Sequence, residues 1–322
     1  MNIRPRRNRK NHAIRSMVEE AQLSTKHLIY PLFVEDGVSI KTEILSLPNS
    51  YRWSLDTLIS EVEHCLKLGI DKYVLFPVVS ESKKDTLASY SYADDNFYLE
   101  IIRKLKVTFP EIVLMSDVAM DPYSSDGHDG YVENGVILND KTLPILSRMS
   151  IAQAQAGIDI IGPSDMMDGR IGHIRSALDA EGYDQTSIMS YSAKYASAYY
   201  GPFRDALDSA PRGGDKKTYQ MNPANKREAL IEARLDVEEG ADMIMVKPAT
   251  SYLDIVHMLK EEFDVPITAY NVSGEYAMVH AASRNGWLDY NDAMIEMLLS
   301  IRRAGADGIL TYFAKDYASL MQ

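Results

Sequence analysis

Two lysines carry most of the chemical information in this chain. Lys247 ends the apolar run Met243-Ile244-Met245-Val246 and precedes Pro248, and Lys194 closes Ser187-Ile188-Met189-Ser190-Tyr191-Ser192-Ala193. Runs of this kind read as buried strands, and loss of hydration disfavours the ammonium form of a lysine placed there. A second cation nearby disfavours it further, so the amine becomes a nucleophile near neutral pH although its reference pKa is about 10.4. This is the chemistry of imine formation on a carbonyl substrate.

The elements that must position these lysines recur along the chain. Apolar runs of strand length lie at 28–34, 73–79, 112–120, 158–164, 187–194, 241–247, 265–272 and 308–313, with helical-period segments between them at 55–68, 97–106, 143–156, 226–239, 252–262 and 291–303. Strands alternating with helices up to eight times predict an α/β protein, a (β/α)8 barrel. Gly69, Gly157, Gly240 and Gly305 each stand where a helix stops before a strand. The two longest connections, from Asp117 to about Asp140 and from Tyr195 to about Asn225, read as structureless functional loops or lids.

In such a barrel the site lies at the C-terminal ends of the strands, where the sequence places Asp117, Ser164, Lys194, Lys247, Ser273 and Tyr312. After the fifth strand, Arg204 with Lys216 or Lys217 supplies cations for a substrate carboxylate, and Gly213-Gly214 can act as a hinge. After the third strand, Asp117, Asp121, Asp126 and Asp129 with His128 can bind a hard cation, hold a substrate ammonium group, or simply build turns.

Bulk composition narrows the partners. A formal net charge of −12 argues against nucleic acid, and the aromatic residues form no basic-aromatic stripes. The single cysteine, Cys65, excludes a disulfide scaffold or multi-cysteine zinc site within one chain. No apolar run is long enough to span a membrane and no signal segment is recognisable, so a soluble, cytoplasmic protein is expected. One domain, 26–322, is expected behind a basic arm, 1–25, whose Arg4, Arg6, Arg7, Arg9, Lys10 and Arg15 precede the first acid, Glu19. Such an arm suits a solvated tail, a transit peptide, or a strap on an acidic neighbouring subunit.

Long motifs around these residues resemble the porphobilinogen synthase (5-aminolevulinate dehydratase) family. They are Met189-Ser190-Tyr191-Ser192-Ala193-Lys194-Tyr195-Ala196-Ser197, Met245-Val246-Lys247-Pro248-Ala249, the stretch from Pro163 to Arg170, Tyr200 to Asp205, and Val272 to Met278. The resemblance covers nearly the whole chain. It implies condensation of two 5-aminolevulinate molecules to porphobilinogen, an early step of tetrapyrrole (haem) synthesis, by a lyase. By resemblance, Lys247 forms the Schiff base with the substrate that supplies the propionate side, whose carboxylate Ser273 and Tyr312 hold. Lys194 holds the second substrate, with Arg204, Lys216 and Gln220 on its carboxylate, and Asp117 and Ser164 sit near the proton and water transfers.

The chain departs from the zinc-dependent pattern. Ala119, Asp121 and Asp129 replace three cysteines, which points to the magnesium-responsive or metal-independent branch and to no catalytic zinc. Glu232, with Asp168 near, is the expected ligand of a regulatory magnesium. Asp126 stands where many members have histidine, and Lys216 where many have arginine, which exchanges a planar fork for a point charge. The family also implies that the arm embraces a neighbour in a homo-octamer. Two other readings compete: a class I Schiff-base aldolase, which needs only one imine lysine, and an inactive barrel kept as a binding protein.

Overall fold

The computed structural model describes residues 2–207 and 212–322. Met1 and residues 208–211, which fall inside the expected lid, lie outside the described residues. Eight parallel strands close into a barrel: β1 (Leu28–Glu35), β2 (Lys72–Val78), β3 (Val113–Met115), β4 (Ile160–Ile161), β5 (Ser187–Lys194), β6 (Met243–Lys247), β7 (Ile267–Asn271) and β8 (Gly308–Thr311). Pairing of β8 with β1, Leu28 beside Ile309, completes the ring. The helices are α1 (His12–Met17), α2 (Leu55–Lys67), α3 (Phe97–Thr108), α4 (Asn139–Gln155), α5 (Arg170–Ala180), α6 (Gly201–Leu207), α7 (Glu228–Glu238), α8 (Leu253–Glu262), α9 (Ser273–Arg284), α10 (Tyr290–Ala304) and α11 (Ala314–Leu320).

The strands are apolar because both faces are covered, one by the barrel interior and one by helices. β1 and β2 are buried almost throughout. The helices bury one stripe each, as in α2, where Leu58, Val62 and Cys65 face inward. Each of the four glycines expected to end a helix has positive φ, from +83° at Gly69 to +117° at Gly305, a conformation in which a side chain would be strained. Two residues beyond three of them stand Asp159, Asp242 and Asp307. Their carboxylates accept the backbone N–H of Leu114, Ile188 and Ile267 respectively, each at or beside the start of the preceding strand, and so tie the bottom of the barrel together.

Two expectations need correction. The run 112–120 is regular only over Val113–Met115, although isolated pairing to the β4 side continues beyond it. Ser116 and Val118 still donate to Ile160 and Gly162, and a side chain on Gly162 would lie 2.4 Å from the Ser116 carbonyl. The long connections are not structureless either. A small hairpin pairs Val132–Glu133 with Val136–Ile137, and α6 lies across the barrel mouth. Its Phe203 packs on Phe33 of β1 and Phe76 of β2, at 5.7 and 5.0 Å between ring centres. Arg52 donates to the carbonyls of Asp205 and Ala206, where the negative end of α6 favours a cation.

A bulge interrupts the pairing of β5 with β6. Ser190 pairs with Ile244 and Ala193 with Val246, so Tyr191 and Ser192 together oppose the single Met245. Beyond it, Lys194 and Lys247 are direct partners.

Candidate active site

Every strand-end residue singled out in the sequence lies at the same end of the barrel, because parallel strands present their C-terminal ends together. Asp117, Ser164, Lys194 and Lys247 line one cavity with Asp121, Tyr200, Phe203, Arg204, Lys216 and Gln220. Arg204 is carried there by α6. Lys216 and Gln220 arrive on one tight turn in which the Gln220 N–H donates to the Lys216 carbonyl at 2.9 Å.

The two strand lysines have opposite surroundings. The Lys194 ammonium donates to Asp129 Oδ2 at 3.1 Å and to the Ser164 carbonyl. Lys247 is surrounded by rings, its Nζ lying 4.6 Å from the centre of Tyr270, 4.9 Å from Phe203 and 5.1 Å from both Tyr191 and Tyr200. Ring faces attract a cation weakly and do not replace its water. Burial, then repulsion from Lys194, lowers the Lys247 amine to about 7 against the pull of Asp117, Asp129 and Asp121. Lys247 is thus the amine that burial depresses, whereas Lys194 is ion-paired with Asp129.

Asp129 is the hub of the polar half. Its other oxygen accepts from Lys216 at 2.5 Å, and Lys216 also reaches Asp121 Oδ2 at 3.1 Å. Burial opposes the charge on Asp129, but Lys194 and Lys216 outweigh it and hold the carboxyl near 2. Burial likewise opposes the Lys216 ammonium, which Asp121 and Asp129 hold above the ordinary lysine value. Two of the aspartates left open in the sequence thus bind ammonium groups of the protein itself. The signal that could have found this is the match of two aspartates to two expected site lysines. Asp117 behaves differently: burial first, then Asp121, pushes it up to about 6, with Lys194, Lys247 and Ser164 opposing. That range suits proton transfer.

Ser273 and Tyr312 are buried beneath α6 and do not line the cavity. The Ser273 hydroxyl accepts the Phe203 N–H at 3.0 Å and donates to the Tyr199 carbonyl at 3.4 Å. Tyr312 and Tyr270 share a hydrogen bond of 2.9 Å between hydroxyls. Gln220 keeps a buried Oε1 without a partner at the cavity.

Glu232 stands apart, on α7, lining a groove with Asp168, Asn139 and Glu228. Burial raises its carboxyl to about 7, Arg170 opposing and Asp236 and Asp168 adding to the rise. No three histidine, cysteine or acidic side chains among the described residues are grouped closely enough to hold a metal by themselves. A hydrated hard cation, which needs few protein oxygens, fits the groove because its charge relieves crowded carboxylates. Arg170, quoted in the sequence only as part of a motif, proves to be a buried strut. Its guanidinium donates to Ser190 Oγ at 3.0 Å and to both oxygens of Asp236 at 3.3 Å, while the Ser190 hydroxyl donates to Asp236 at 2.6 Å.

A near-neutral amine beside a second, ion-paired lysine at the strand ends of a barrel is an arrangement suited to imine chemistry on a carbonyl substrate. Comparison with known proteins narrows that class. The family described as delta-aminolevulinic acid dehydratase matches residues 2–320. The chain is 52% identical over 311 residues to the delta-aminolevulinic acid dehydratase of Chlamydia pneumoniae, covering 97% of this chain and 94% of that one. It is 54% identical over 317 residues to the chloroplastic enzyme of Physcomitrium patens, covering 98% of this chain and 73% of the other. A crystal structure of the Toxoplasma gondii enzyme, also called porphobilinogen synthase and solved with its reaction product porphobilinogen, superposes with a TM-score of 0.98 at 50% identity, covering 99% and 92% of the two chains. The chain belongs to the delta-aminolevulinic acid dehydratase family. It is a lyase on a (β/α)8 barrel.

Proposed function

We propose that the protein condenses two molecules of 5-aminolevulinate into porphobilinogen, with release of two waters, for tetrapyrrole synthesis. The observation that carries the reading is the direct pairing of Lys194 with Lys247 in one cavity, one amine near neutrality and one held by a carboxylate. The Lys247 amine attacks the ketone of the first substrate, whose carboxylate takes Ser273 and Tyr312. Admitting that carboxylate requires the Ser273 hydroxyl to turn from the Tyr199 carbonyl. Lys194 takes the second ketone once its proton has passed on, and Arg204, Lys216 and Gln220 receive the second carboxylate. Asp117 and Ser164 exchange protons with the amines and departing waters. Holding both substrates in register contributes on the order of ~7 kcal/mol in favourable cases, and the cover of α6 limits imine hydrolysis.

A magnesium ion, hydrated and held by Glu232 with Asp168, fits the second groove as a regulator outside the chemical steps. The arm is proposed to strap a neighbouring subunit in a homo-octamer. Its residues 2–20 are mostly exposed, with Ile3 and Met17 at 82% and 76%, and a hydrogen bond to the barrel begins at the carbonyl of Gln22. No helix among the described residues is long and apolar enough to cross a membrane.

The test is borohydride reduction in the presence of 5-aminolevulinate, followed by mass mapping. Adducts are expected on Lys247 and Lys194. A Lys247→Ala protein that still makes porphobilinogen at the normal rate would falsify the mechanism. An aldolase would show an adduct on one lysine alone, and an inactive binding barrel none.

A further inference from the structure

We infer that His128 is a positioning residue that latches the segment 212–220 onto the aspartate loop and so sets the grip on the second substrate. The inference rests on the reading above for the role of Lys216 and Gln220, and deepens it. His128 is buried, and both ring nitrogens are engaged by residues far along the chain. Nε2 lies 2.8 Å from the Gly213 carbonyl, and Nδ1 lies 3.1 Å from the Tyr219 hydroxyl. The Tyr219 hydroxyl also accepts the backbone N–H of Asp129 at 3.3 Å.

For a neutral ring these contacts assign the tautomer. A carbonyl can only accept, so Nε2 carries the hydrogen and donates to Gly213. In the neutral ring Nδ1 is then an acceptor, filled by the Tyr219 O–H, while the Tyr219 oxygen takes the Asp129 N–H. One neutral tautomer satisfies every member of the group, and neither ring nitrogen is left for a metal. The Tyr219 ring meets the imidazole edge-on, with centres 6.1 Å apart and planes at 74°.

What the latch aligns gives it a function. Tyr219 sits between Lys216 and Gln220 on the same tight turn, and Asp129 follows His128 directly. The Tyr219–Asp129 bond therefore ties the turn bearing Lys216 and Gln220 to the carboxylate that holds both Lys216 and Lys194. Without His128, Gly213 and Tyr219 lose their shared partner. Lys247 lies among aromatic rings and is held by no hydrogen bond to this group, so its adduct is expected to persist when the latch is cut.

The test is steady-state kinetics with 5-aminolevulinate on His128→Phe, His128→Gln and Tyr219→Phe, alongside borohydride trapping. His128→Phe is expected to raise KM about tenfold while kcat changes less than threefold, with the Lys247 adduct retained. Tyr219→Phe should do the same, and the double variant should be no worse than either single one, because both cut one linkage. His128→Gln, which keeps an amide donor for Gly213, should lie between wild type and His128→Phe. An unchanged KM in a folded His128→Phe protein, or additive losses in the double variant, overturns the latch. A change confined to kcat also overturns it. If His128→Phe does not fold, Tyr219→Phe and His128→Gln decide the matter by the same KM criterion. Absence of any adduct in the wild-type protein would instead sink the parent reading, so the two failures are distinguishable.

Discussion

Lys194 and Lys247 are cross-strand partners on adjacent parallel strands, yet among the described residues only Lys194 pairs with a carboxylate. Asp129 pairs with Lys194, and the Lys194 charge in turn lowers the Lys247 amine, with Asp129 opposing. The cross-strand register therefore places Lys194 where its charge contributes to the reactivity of Lys247.

A pH dependence follows directly. Only the unprotonated amine attacks a ketone, so trapping at Lys247 should rise with pH through a midpoint near the depressed value of about 7 and level off above it. Lys194→Met removes the adjacent cation and should move that midpoint upward. Mass-mapped trapping across pH 5.5 to 9.5 checks the sign. A midpoint that stays put or falls would mean that burial alone accounts for the depression.

The lysines should also fail differently. Lys247→Ala is expected to lower turnover by at least ~10³-fold, the scale of losing an activated nucleophile. Lys194→Ala should lower turnover strongly yet still permit an adduct at Lys247. Loss of trapping at Lys247 in a folded Lys194→Ala protein would show that the amines do not react separately.

Asp129 should matter for stability as well as rate. Asp129→Ala leaves two buried lysines without their shared partner, and breaking a buried ion pair from one side costs about 3–5 kcal/mol. Its native value, near 2, lies below the ordinary carboxylate value of 3.8. Its contribution is therefore complete above about pH 4 and fades as pH falls through 2. Urea unfolding of wild type and Asp129→Ala at pH 7 measures the loss. A difference under about 1 kcal/mol contradicts the assignment of Asp129 as the hub.

At the second groove, magnesium should bind with a measurable heat and release protons from Glu232 around pH 7, since the carboxyl titrates there. Titration calorimetry in buffers of different ionisation heat reads both quantities. Glu232→Gln is expected to abolish the heat and any rise in activity that magnesium produces. Persistence of the heat would place the ion elsewhere.

Removal of residues 1–15 should convert the proposed octamer into smaller assemblies. Sedimentation velocity distinguishes these, and an unchanged octamer rules out the arm as strap.

Much of the architecture was legible in the sequence because buried strands are nearly pure apolar runs and the helix-ending glycines punctuate them. Less visible were α5 and α9, where Gly169, Gly172 and Gly274 dilute the helical pattern. Gly274 is required by space: a side chain there would lie 2.5 Å from the Tyr199 carbonyl, where the segment before α6 crosses. The aspartates after Gly157, Gly240 and Gly305 escaped notice because their partners are backbone groups of other strands. Within the site, the strand-end residues could be named from position alone. The state of Ser273 and Tyr312 could not, since it depends on where α6 comes to rest.

The bulge in β5 bears on how such sites are read from sequence at all. Ser190 faces outward, to Arg170 on α5 and Asp236 on α7, and an unbroken strand would turn Lys194, four residues on, to that same side. The doubled step at Tyr191 and Ser192 reverses the parity and swings Lys194 into the barrel beside Lys247. The second amine therefore owes its place to a backbone irregularity rather than to any side chain around it. A substitution that irons out the ladder would silence Lys194 while leaving every catalytic residue in the sequence unchanged.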